Sequence, residues 1–100
     1  MITHIVLCKI RPEVPEQDIA AVWADLDAVK FVVPGMTSAH FGPNTSPEGL
    51  NRAYSHAFTM TFDTVATRDA YLDHPDHKAA GAALVSLLDG GLDGICVVDI

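Results

Sequence analysis

Basic residues are scarce in this chain. Six Lys and Arg stand against 13 Asp and Glu, for a net charge of −7 at pH 7, and Lys9 and Arg11 are the closest basic pair. Nucleic-acid backbones are held through many Lys and Arg contacts, so no nucleic-acid partner is expected. Anionic membrane surfaces are disfavoured for the same reason. No apolar run approaches the roughly 20 residues that cross a bilayer. No basic segment precedes the first apolar stretch, which begins at Ile2, so no secretory leader is read there and a cytoplasmic location is expected. Cysteine is limited to Cys8 and Cys96, both in apolar, strand-like surroundings. They read as reduced, buried thiols, and a disulfide would require their strands to be neighbours. A phosphate loop, a dinucleotide fingerprint, a Gly-x-Ser-x-Gly elbow and a Cys-x-x-Cys pair are all missing. No internal repeat, low-complexity tract or heptad run is present.

Apolar side chains, in contrast, are plentiful. One hundred residues make one domain, residues 1–100. Hydrophobic residues form 49% of the chain, and charged residues only 19% against a usual figure of about 25%. A domain this small buries only about two-thirds of the surface its unfolded chain exposes. The surplus of apolar material points to a subunit interface first and a roomy pocket second.

Ile2 to Ile10 is rich in β-branched and apolar residues and reads as a strand buried on both faces. Pro15 and Glu16 open a helix whose face carries Ile19, Val22, Trp23 and Leu26 at i, i+3, i+4 and i+7. Pro34-Gly35 ends it, and Met36 to Phe41 forms a short strand. Thr45 to Arg52 is a polar, ordered loop. Tyr54, His56, Phe58, Met60 and Phe62 then alternate with small residues, the clearest strand pattern of the chain. Asp63-Thr64 caps a helix reaching Tyr71 or Leu72, and Pro75 starts another with Ala80, Leu84, Leu87 and Leu88 as its buried stripe. Ile95 to Ile100 is a terminal strand locked into a sheet. The order β-α-β-β-α-α-β is the ferredoxin-like split βαβ arrangement, an α+β fold. Its helices cover one face of an antiparallel four-stranded sheet, and the other face is expected to meet a second copy about a two-fold axis.

Five histidines are many for a chain of this length. His77 lies on the buried stripe of the last helix, Tyr71 stands just before that helix, and His4 alternates with Val6 and Cys8 on the first strand. An imidazole held near neutrality takes or gives a proton at cellular pH. A Tyr hydroxyl beside it donates to a carbonyl oxygen as negative charge builds there. These are the parts for removing a proton next to a carbonyl. The same spacing equally suits a core histidine satisfied by a backbone carbonyl. His56 facing the core reads as structural, His40 as exposed, and His74 before Pro75 as a helix-capping residue. His74 and His77 at i, i+3 are too few for a firm metal site.

Several segments, in order, carry a resemblance: His4-Ile5-Val6-Leu7, Asn44 to Leu50, Tyr54 to Asp63, Tyr71-Leu72-Asp73-His74-Pro75-Asp76-His77, and Val97-Val98-Asp99. Along nearly its whole length the chain resembles the stress-responsive A/B barrel (Dabb) family. The resemblance implies a dimeric α+β barrel and chemistry that needs no cofactor. A related plant polyketide cyclase implies roles by position: His77 as base, Tyr71 as oxyanion donor and His4 as a positioning residue. The small residues Ala79 to Ala83 imply a substrate smaller than a long-chain polyketide. Three readings follow. One is a cofactor-free enzyme, lyase- or cyclase-like or monooxygenase-like, acting on a small carbonyl or phenolic compound. The others are a module binding an apolar metabolite, and a non-catalytic stress-responsive dimer.

Overall fold

The computed structural model describes residues 1–100. Along the chain run β1 (Ile2–Cys8), α1 (Glu16–Ala28), β2 (Met36–Pro43), β3 (His56–Phe62), α2 (Val65–Asp73), α3 (Pro75–Val85) and β4 (Ile95–Asp99). The strands form one antiparallel sheet in the order β2-β3-β1-β4. This is the expected split βαβ order, in which β1 is inserted between β3 and β4.

Alternation decides which side chains meet the helices. His4, Val6 and Cys8 of β1 are buried, as are Phe58, Met60 and Phe62 of β3. Ile19, Val22 and Leu26 close over them from α1, and Ala80 and Leu84 from α3. Burying a side chain the size of Phe62 or Leu26 contributes about 1.5–3 kcal/mol. α1 carries Glu16 and Asp18 in its first turn, where negative charge complements the exposed N–H groups. It tightens into a 3₁₀ turn over Val29–Phe31 before β2.

Three local expectations are revised. β1 is buried on one face only: Thr3, Ile5 and Leu7 point away from the helices and stay half-buried, because nothing else in the chain covers that side. β3 begins at His56 rather than Tyr54, because Arg52 and Ala53 adopt left-handed backbone (φ 52° and 66°) and Tyr54 N–H closes a turn onto Asn51 O. Leu87 and Leu88 lie past the end of α3, and Leu88 reaches the core through a bridge with Ile10. The C-terminal strand is locked as expected, Thr3 and Ile100 exchanging both backbone hydrogen bonds. β1 and β4 are neighbours, yet Leu7 and not Cys8 sits opposite Cys96. Cys8 and Cys96 therefore point to opposite faces of the sheet, and no disulfide joins them.

Candidate functional site

His4, Tyr71 and His77 come from β1, α2 and α3 and meet in one place. The rings of His4 and Tyr71 are 5.8 Å apart by centroid, and those of Tyr71 and His77 only 4.2 Å. A continuous helix would not allow the second contact. Six residues would separate the two side chains by about 9 Å along the axis and about 240° around it. Pro75 prevents continuity, since it lacks an N–H and forces His74 to an extended backbone (φ −69°, ψ 134°). α3 therefore starts afresh, with Nδ1 of His74 accepting from Asp76 N–H at 3.0 Å as its cap. The sequence assigned His74 that capping position. On the other side, Thr64 caps α2 through Thr67 N–H at 3.1 Å.

His4 is 4% exposed and hydrogen-bonded through Nδ1 to Asp99, at 2.7 Å, across the β1–β4 pair. The other oxygen of Asp99 accepts from Arg68 at 2.7 Å, and Arg68 also reaches Asp69. Burial acts to raise the Asp99 pKa, but the hydrogen bonds from Arg68 and His4 outweigh it and hold the carboxyl below its ordinary value. An ionised carboxylate only accepts, so Nδ1 of His4 is the donor in this bond.

The other two groups are unsatisfied. The Tyr71 hydroxyl and Nδ1 of His77 are buried without a hydrogen-bond partner. Burial pushes the Tyr71 phenol well above its ordinary pKa, so it remains a donor. Burial pushes His77 down, with His4 and Lys78 acting in the same direction, so its imidazole is neutral at neutral pH. Buried polar groups are nearly always paired, so two unpartnered groups side by side carry a desolvation cost.

A cavity of about 210 Å³ opens beside them, walled by His4, Val6, Phe58, His77, Gly81 and Leu84, with Leu26 and Ile95 behind. Leu72, Val85 and Val97 lie nearer the surface and form its mouth beside the edge strand β4. Tyr71 is not on the wall; its ring stands behind the two imidazoles, against Phe62. Two larger depressions, of about 310 and 280 Å³, are more open to solvent and hold no pair of imidazoles.

The remaining histidines stay outside. His40 is exposed, and His56 packs near Trp23 with Nδ1 on the Ser55 hydroxyl at 2.9 Å. Sequence reasoning missed the hydrogen-bonding roles of Asp99 and Arg68 and the place of Gly81 on the wall. For Asp99 a signal existed. The split βαβ order makes β1 and β4 antiparallel neighbours, so the start of one faces the end of the other.

Comparison with known proteins agrees with this frame. The protein HS1 of Arabidopsis thaliana, which contains a stress-response A/B barrel domain, is 27% identical over 99 residues, spanning 98% of this chain and 86% of that protein. Olivetolic acid cyclase of Cannabis sativa is 22% identical over 80 residues, 80% of this chain and 79% of that protein. The crystal structure of a dimeric ferredoxin-like protein of unknown function from Jannaschia sp. CCS1 superposes with a TM-score of 0.91 at 36% identity, covering 99% of this chain and 96% of that one. The family described as Stress responsive A/B Barrel Domain matches residues 2–100. With the split βαβ sheet beneath that match, the chain belongs to the stress-responsive A/B barrel domain family.

Proposed function

We propose that the protein is a homodimer in which each subunit uses the His4, Tyr71 and His77 pocket for cofactor-free proton transfer on a small carbonyl or phenolic compound. One observation carries the reading: a buried tyrosine hydroxyl and a buried imidazole nitrogen lack partners beside a second imidazole locked by a carboxylate. Neutral His77 removes a proton from the carbon next to a carbonyl, and the C–H electron pair becomes an enolate. For the Tyr71 hydroxyl to donate to the enolate oxygen as charge develops, its ring must turn toward the cavity from its place behind the wall. The enolate carbon then bonds to a second carbonyl carbon of the same molecule, and the His77 proton passes to the new alkoxide. His4, fixed by Asp99, also lines the cavity and positions the compound there. Acid–base groups so placed contribute about 10²–10⁴ in rate. A cyclase among the sequence relatives supports this class of step.

The second reading, an apolar metabolite held without turnover, draws support from the position of Tyr71 behind the wall. The open cavity weighs against a purely structural role. The homodimer rests on the half-buried Ile5 and Leu7 of the uncovered sheet face and on the dimeric structural relative. Sedimentation at micromolar concentration is expected to give a dimer, and a monomer overturns that part.

The pocket is tested by an NMR titration of His4 and His77 with a panel of β-keto and phenolic compounds. One compound class moves the His77 and Tyr71 ring signals together. Silence at both rings across the panel contradicts the enzyme.

A further inference from the structure

We infer that Gly81 sets the size limit of the ligand, its missing side chain holding the cavity open for one six-membered ring with short substituents. The inference rests on the pocket being the ligand site and adds its size class.

Gly81 lies inside α3, where glycine is among the least favourable residues. Packing does not demand it. Its backbone is not left-handed, and a Cβ placed there would meet only Cε1 of His77, at 4.0 Å, an ordinary contact. Gly94 is the contrast, because a Cβ there would run into the Asp89 carbonyl. Within the small run Ala79 to Ala83, Gly81 is also the one residue on the cavity wall. Ala80 packs into the core, and Ala79 and Ala82 face solvent. A side chain at 81 would extend from the wall beside His77 into the cavity that His77 and His4 both line.

The volume gives the class. A cavity of about 150 Å³ lined by apolar side chains admits benzene. Drug-sized ligands occupy pockets of about 300 Å³ and more. At about 210 Å³, with two imidazoles and an otherwise apolar wall, this cavity fits a single ring carrying an oxygen.

The experiment compares the full chain with G81A and G81V. Benzene binding is followed by methyl NMR at Leu84 and Val97, alongside thermal melts. Benzene enters the wild type; G81A weakens it, G81V weakens it at least tenfold, and G81A melts above the wild type. Failure of benzene to enter the wild type, equal affinity in G81V, or a lower melting temperature for G81A overturns the inference. Cyclohexane-1,3-dione separates the two readings. If Gly81 controls benzene access while the dione leaves His77 and Tyr71 unmoved, the size limit stands and the proton-transfer reading falls.

Discussion

Asp99 accepts from Nδ1 of His4 at 2.7 Å, joining the end of the last strand to the start of the first. The Asp99 carboxyl titrates below its ordinary value, because the Arg68 and His4 hydrogen bonds outweigh the opposing effect of burial. An unfolded Asp titrates near about 3.9. A folded pKa below the unfolded one means stability present above about pH 3.9 and lost as pH falls through the folded value. Asp99→Asn therefore lowers stability at pH 7, and the gap to the wild type narrows below about pH 4. Urea unfolding at pH 7 and pH 3 reads this; a gap that does not narrow contradicts it.

His77 gives a second pH signature. Its folded pKa is depressed, by burial first and by His4 and Lys78 after it. An unfolded His titrates near about 6.5. The folded state binds its proton less readily, so the stability from His77 is full above about pH 6.5 and lost as pH falls through the folded value. His77→Gln removes that loss. Between pH 7.5 and pH 5 the variant falls less in urea midpoint than the wild type, and a parallel fall in both is the contrary result.

Tyr71 separates stability from function. A buried hydroxyl without a partner carries a desolvation cost of about 1–3 kcal/mol. Tyr71→Phe is expected to gain about 1 kcal/mol, raising the melting temperature by about 4–8 °C. The same change weakens the response to carbonyl compounds at least tenfold. A variant that melts lower would mean that the hydroxyl has a structural partner in solution.

Much of this was legible in the chain itself. Tyr54 to Phe62 announces a strand through bulky and small residues in strict alternation, and Pro75 announces a break that no tertiary contact can remove. Capping by Thr64 and His74 was legible for the same local reason. Tyr54 itself fell outside β3 because the left-handed backbone at Arg52 and Ala53 has no glycine or asparagine to signal it. Within one chain the second face of β1 stays half-buried, and apolar content alone does not say whether a neighbour is in the same chain. His4, Tyr71 and His77 were picked out, yet their approach depends on three elements docking, which spacing does not encode. Asp99 went unseen as a partner because it lies 95 residues from His4 and meets it only through strand order.

Cysteine chemistry follows from the sheet. Cys8 is fully buried, and burial pushes its thiol up to about 12. Cys96 points to the other face and is partly exposed. Reducing agent should leave the melting temperature unchanged, and Cys8 should resist iodoacetamide until the protein unfolds. Mass spectrometry of the labelled peptides reads both thiols, and native labelling at Cys8 would contradict the burial.

The most direct measurement follows the α-protons of cyclohexanone in D₂O by proton NMR, with wild-type protein, His77→Gln and Tyr71→Phe. Exchange faster than buffer is expected for the wild type, with the gain lost in His77→Gln and reduced at least tenfold in Tyr71→Phe. Exchange at the buffer rate with the wild type, or equal acceleration by all three proteins, would contradict a proton-transfer pocket at His4, Tyr71 and His77.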